Sequence, residues 1–177
     1  MRTIVVYELV SLDGVAEAPD TFFGWDDALD ANLAAVIATQ DAVILGRRSY
    51  AEWAPYWPTS EIEPFATFIN GVTKHVATSA PLDQDWADAT AIDGELVEFV
   101  RDLKQQGGGD VGVHASISVV QALLAAGLVD ELKLAIAPAI AGRGRRLLDG
   151  APSIKLESIR SETSPTGHLL VDYRVTR

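Results

Sequence analysis

The chain contains no cysteine, which excludes disulfides, thiolate metal sites and a cysteine nucleophile. Histidine is scarce too: His75, His114 and His168 stand far apart, without the close pairing that marks a metal site. No stretch approaches the roughly 18 apolar residues of a membrane-crossing helix. Met1-Arg2-Thr3 leads into an apolar run that stops at Glu8, unlike a signal peptide. These absences predict a soluble, cytoplasmic protein with neither a metal nor a membrane partner. Positive charge is also short. Lys and Arg number 14 against 25 Asp and Glu, and the net charge of −11 argues against nucleic acid as a partner. A small anion can still be held where cations and backbone amides gather locally.

Apolar residues are plentiful, at 48%, the profile of a packed chain rather than a disordered one. With 177 residues and no linker-like tract, a single domain spanning 1–177 is expected. Thr3 to Val10 is rich in β-branched residues and reads as a buried strand. Ser11 to Trp25 holds Gly, Pro and Asp without a period, a long loop of the kind that is more often functional than not. Asp27 to Thr39 puts Leu29, Leu33, Val36 and Ile37 on one helical face, and Ala42 to Leu45 is a short strand stopped by Gly46. Two capping-box spacings, Ser49 with Glu52 and Ser118 with Gln121, each predict a helix start. Glu61 to Ile69 and Leu96 to Leu103 read as further helices. Lys74 to Thr78, Asp110 to His114 and Val129 to Ala137 read as strands. Beyond Leu147 the chain is strand-rich, with turns at Gly150-Ala151-Pro152 and Pro165-Thr166-Gly167. The expected fold is therefore α/β: a mostly parallel central sheet with helices on both faces and an antiparallel hairpin at one edge.

Open parallel sheets bind ligands beyond the carboxyl ends of their strands. Two strand-to-helix junctions belong there: Leu45-Gly46-Arg47-Arg48-Ser49 and Val113-His114-Ala115-Ser116-Ile117-Ser118. A helix start offers free amides and partial positive charge to a phosphate. Arg47 and Arg48 add formal charge, and Thr78 and Ser79 add hydroxyls at the end of a third strand. The same residues read equally as a capped helix with two solvated arginines. Gly107, Gly109 and Gly112 spell G-x-G-x-x-G but precede a strand, so the dinucleotide mechanism of that motif does not apply. The three histidines read as structural. Asp26, Asp27 and Asp30 suit the first turn of a helix, although one that faced the cleft would deliver a proton. Trp25, Trp53 and Trp57 are either core or the walls of a pocket for a flat heterocycle.

Four blocks recur in a familiar order: Ser11-Leu12-Asp13-Gly14, Ile44-Leu45-Gly46-Arg47-Arg48-Ser49-Tyr50, Val76-Ala77-Thr78-Ser79, and Leu124-Ala125-Ala126-Gly127-Leu128-Val129-Asp130-Glu131-Leu132. The last, followed by Pro138 and Gly142-Arg143-Gly144, is the most specific. In these blocks the chain resembles the dihydrofolate reductase superfamily, above all the C-terminal reductase domain of the bifunctional riboflavin-pathway deaminase–reductases. The zinc motif of the deaminase half is absent, so it resembles a stand-alone member.

The resemblance implies a dihydrofolate reductase-like, three-layer α/β/α fold and an NADPH-dependent reductase. Its substrate would be a small heterocycle, 5-amino-6-(5-phosphoribosylamino)uracil-like or dihydrofolate-like. By matching positions it implies cofactor phosphates at Gly46, Arg47, Arg48 and Ser49, and a 2′-phosphate near Thr78 and Ser79. The diphosphate would lie along Ala115, Ser116, Ile117 and Ser118, and the nicotinamide beside Val15 and Ala16. Counting back from Gly46 puts Trp25 and Asp30 where dihydrofolate reductases carry a tryptophan and the catalytic acid. Asp30 is thus the candidate proton donor, and Trp25 and Trp53 the candidate substrate contacts. Related domains pair, which implies a homodimer formed through the edge strands of the tail. The chain departs from the superfamily where Ala115-Ser116 replaces the usual Gly-Gly, since each Cβ narrows the approach to a diphosphate. That departure favours an alternative: a non-catalytic nucleotide- or ligand-binding protein that retains the reductase fold.

Overall fold

Residues 1–176 are described by the computed structural model, and the apolar segment β1 (Ile4–Ser11) organises them, buried along nearly its whole length. A strand with no polar face has to be covered on both sides, which places it in the interior of a sheet. There β1 pairs in parallel with β5 (Asp110–His114) and β6 (Glu131–Ala137). Beyond β5, the strands β2 (Gln40–Gly46), β3 (Thr73–Ala77) and β4 (Ala89–Ala91) continue the parallel array. Beyond β6, the hairpin of β7 (Lys155–Thr163) and β8 (Leu169–Thr176) adds antiparallel strands, giving the order β4-β3-β2-β5-β1-β6-β8-β7. This is the dihydrofolate reductase-like α/β fold with its antiparallel edge.

Helices α1 (Asp27–Ile37), α2 (Arg47–Trp53) and α3 (Phe65–Gly71) pack around Tyr7, Val43 and Leu45 on one face. The other face, with Ile4, Val6 and Ile44, is covered by α4 (Leu96–Gln105) and α5 (Ile117–Ala125). The most specific sequence block serves this packing. Asp130 accepts the Ile4 amide at 2.8 Å and pairs with the buried Lys104, whose ammonium also caps the Leu128 carbonyl at 3.1 Å. The block rivets the amino edge of the sheet.

Several boundaries differ from those the sequence predicts. Neither capping box forms. Helix α2 begins at Arg47 with Gly46 as its N-cap, so Ser49 lies inside the first turn and its hydroxyl turns to another segment. Helix α5 begins at Ile117 after Ser116, and Gln121 donates instead to the carbonyls of Arg146 and Leu147, each at 3.2 Å. The helix expected from Glu61 starts only at Phe65, after Pro64. The glycine spelling before β5 has a packing cause: a Cβ on Gly112 would overlap the Gln40 side chain and come within 2.7 Å of His114 Nε2.

Candidate active site

The two junctions meet in space. Strands β2 and β5 are neighbours, so their carboxyl ends deliver the starts of α2 and α5 side by side. Gly46 donates its amide to Ser116 Oγ at 3.0 Å. Ser116 in turn donates to Ser49 Oγ at 3.0 Å, and Ser49 to the Ala115 carbonyl at 2.6 Å. The chain of bonds ties the two helix starts together at the carboxyl end of the sheet. Ala115 sits at φ +49°, the left-handed region that a glycine enters freely and that strains an alanine by about 1 kcal/mol. Ala115 thus holds a backbone conformation that suits the glycine the resemblance implies at this position. Ile117, next in the wall, is buried.

Beneath Ser116 lies Glu8, whose Oε1 accepts the Ser116 amide at 3.2 Å. Glu8 is 3% exposed. Desolvation pushes its carboxyl up to about 8, although the Ser116 amide pulls the other way. Sequence reasoning passed over Glu8 as the end of an apolar run; the signal was a carboxylate inside a strand otherwise made to be buried.

Cations line the rim. Arg47 donates to Thr78 Oγ1 at 3.1 Å and faces Asp83 at 3.8 Å, while Ser79 beside them is exposed. Arg48 pairs with Glu52 at 3.2 Å and Glu17 at 3.3 Å. Arg145, which sequence reasoning also missed, donates to Ser118 Oγ at 2.8 Å in the first turn of α5. Five of the chain's ten arginines (47, 48, 143, 145 and 146) belong to these two segments, a local reversal of the acidic surface.

The long loop after β1 is not free. The Asp13 carboxylate accepts from Ser11 Oγ at 2.6 Å and from the amides of Ala141 and Gly142 at 2.9 Å, and these bonds hold it low, at about 2. Val15 bridges Arg146 in antiparallel fashion, and Ala16 donates to the Arg145 carbonyl at 3.0 Å; both residues are buried. Gly144, at φ +109°, is where a Cβ would come within 2.8 Å of the Val15 side chain.

The candidate substrate residues have different packing partners. Asp30 is exposed on α1, whereas Asn32, two residues on, is buried and accepts a bond from Arg160. Trp25 is 48% exposed and packs edge-on against Phe23, while Trp53 packs against Trp57 and Phe65. Asp26 is the N-cap of α1 and binds the Thr166 hydroxyl at 2.6 Å. His114 is structural: burial pushes its imidazole down to about 4, and it contacts Gln40 at 2.8 Å among aromatic rings.

A sheet of this order, with two helix starts meeting at its carboxyl edge, is the dihydrofolate reductase-like α/β architecture. The sequence matches the RibD C-terminal domain family over residues 2–170, and the chain belongs to that family. It is 26% identical to the uncharacterised protein YyaP of Bacillus subtilis across 97% of this chain and 94% of that one. A Shewanella sp. PV-4 protein assigned provisionally to riboflavin biosynthesis superposes with a TM-score of 0.79 at 19% identity, covering 99% of each chain. The deaminase/5-amino-6-(5-phosphoribosylamino)uracil reductase of Thermotoga maritima gives 0.71 at 16% identity, over 99% of this chain and 57% of that one. Dihydrofolate reductase from Enterococcus faecalis, complexed with NADP(H), gives 0.65 at 14% identity over 99% of this chain and 97% of that one.

Proposed function

We propose that the chain is an NADPH-dependent reductase acting on a small flat heterocycle, either 5-amino-6-(5-phosphoribosylamino)uracil-like or dihydrofolate-like. The observation that carries this reading is the meeting of the two junctions, with Gly46 bonded to Ser116 across the cleft at 3.0 Å. The residues present fit a dinucleotide. Arg47, held by Thr78 Oγ1, places a guanidinium for a phosphomonoester, and Arg145 with Ser118 stands at the first turn of α5 for a diphosphate. NADPH bound there would supply the hydride. Val15 and Ala16, pinned to the 145–146 backbone, give the cleft a fixed wall beside the end of β1. Asp30, exposed on α1, is the candidate for proton delivery. The proposed working unit is a homodimer.

A second reading has its own support. The Ser116 amide and hydroxyl are already committed to Glu8, Gly46 and Ser49, which removes donors that a diphosphate would use. A protein so built would retain the reductase fold as a non-catalytic nucleotide- or ligand-binding protein, holding its ligand through the arginines rather than through the Ser116 donors. Fluorescence titration with NADPH, followed by turnover with dihydrofolate and the phosphoribosylaminouracil, separates the two. NADPH binding with oxidation upholds the reductase, binding without oxidation leaves the binding protein, and no binding removes the reductase reading.

A further inference from the structure

Glu8 is a buried acid that the proposed reduction does not use. It lies on β1 at 3% exposure, and among the described residues its one hydrogen bond is the 3.2 Å contact from the Ser116 amide. Ser116 is the hub of the cleft, since its hydroxyl also takes the Gly46 amide and reaches Ser49. Glu8 therefore supports, through one residue, both helix starts between which an anion would sit. Were it ionised, a buried negative charge would stand one peptide from that anion, with little water to screen it.

We propose that Glu8 is a positioning residue whose neutral carboxyl props Ser116 and so permits a phosphate-bearing ligand to occupy the cleft, ionisation of Glu8 expelling that ligand. The inference rests on reading the cleft as an anion site. The charged groups of the neighbouring elements have partners of their own. Arg47 and Arg48 of α2 are engaged with Thr78, Asp83, Glu17 and Glu52, and Arg145 of the loop after β6 with Ser118. From the loop after β1, Glu17 is paired with Arg48, and Asp13 is held at about 2. His114 of β5, at about 4, and Lys74, lowered towards 8 by burial, belong to the opposite face under α3. With Glu8 at about 8, the ligand's dissociation constant should rise about 25-fold between pH 7.5 and 9.5.

The test is titration calorimetry with NADPH, and separately with ADP, at both pH values on wild type and Glu8→Gln. The amide keeps the shape and the acceptor oxygen but cannot ionise. The expected result is a loss of about 25-fold in wild type and a flat profile in Glu8→Gln. A flat wild-type profile overturns the proposal, and so does a fall that survives in Glu8→Gln. Should Glu8→Gln fail to fold, Glu8→Ala takes its place with the same flat profile expected, and a flat wild-type profile still overturns the proposal. ADP binding with this profile in the absence of NADPH binding would remove the cofactor reading and leave Glu8 in its role; no binding of either ligand would overturn both.

Discussion

Two buried titratable side chains, Glu8 and His114, tie the stability of this protein to pH in opposite directions. Glu8 is raised from 4.5 in the unfolded chain to about 8 in the fold, so its contribution is complete below 4.5 and is lost as pH rises through 8. His114 is lowered from 6.5 to about 4, so its contribution is complete above 6.5 and is lost as pH falls towards 4. Between pH 6.5 and 8 only the Glu8 effect of the pair remains. Urea unfolding should show wild type losing up to about 2 kcal/mol relative to Glu8→Gln across that window. A constant difference between the two would refute the assignment of a neutral Glu8. At Ala115 the strained φ of +49° makes a second prediction: Ala115→Gly should raise the unfolding free energy by about 0.5–1 kcal/mol. The relief of the Cβ contact is offset in part by the greater freedom of glycine in the unfolded chain. A loss of stability would mean that the Cβ is packed rather than strained.

Elements were legible where a single physical pattern decides them, and misread where a local pattern competes with a distant partner. The β-branched run of β1, the parallel array and the Leu-Val-Asp-Glu-Leu rivet follow from burial and from blocks that any reader of the sequence can find. The junctions were legible as positions but not as a network. Ser49 and Glu52 have capping-box spacing, yet the Ser49 hydroxyl bonds 66 residues away at Ala115, because the neighbouring strand end offers a carbonyl there. Glu8 and Arg145 were illegible for the same reason, since their partners are set by the sheet order and not by sequence neighbourhood. The loop after β1 is the clearest case: without a period, it is ordered by Asp13 reaching the 141–142 backbone. Asp13→Ala should therefore free the loop at both ends. Hydrogen exchange should report the Ala141 and Gly142 amides exchanging about tenfold faster, with those of β1 unchanged. Unaltered exchange at 141 and 142 would show that the Val15–Arg146 bridge holds the loop unaided.

On the scale of the whole molecule, the helices shelter the parallel strands but the sheet runs on past them. Strand β7 is exposed at eight of its nine residues, and its Leu156 and Ile159, with Leu169 of the paired β8, stand 40–45% exposed. An edge strand of that length presents unpaired backbone groups to any chain that meets it, and water is a poor neighbour for three large apolar side chains. Its charges are partly spent within the molecule, Arg160 on Glu162 and Asp172, and Glu157 on Arg174, so they repel a second copy less than their number suggests. A homodimer through this edge satisfies both demands at once, and a two-fold axis makes the patch complementary to itself. Light scattering coupled to size exclusion should give twice the 19.0 kDa of one chain. Replacing Leu156 and Ile159 by lysine should return the single-chain mass. The junction cleft is built within one chain from α2, α5 and the two loops, so the monomeric variant should bind NADPH with the wild-type dissociation constant. A wild-type chain that runs as a monomer would remove the dimer. Loss of NADPH binding on monomerisation would mean instead that the partner copy completes the cleft, which the single-chain hydrogen-bond network argues against.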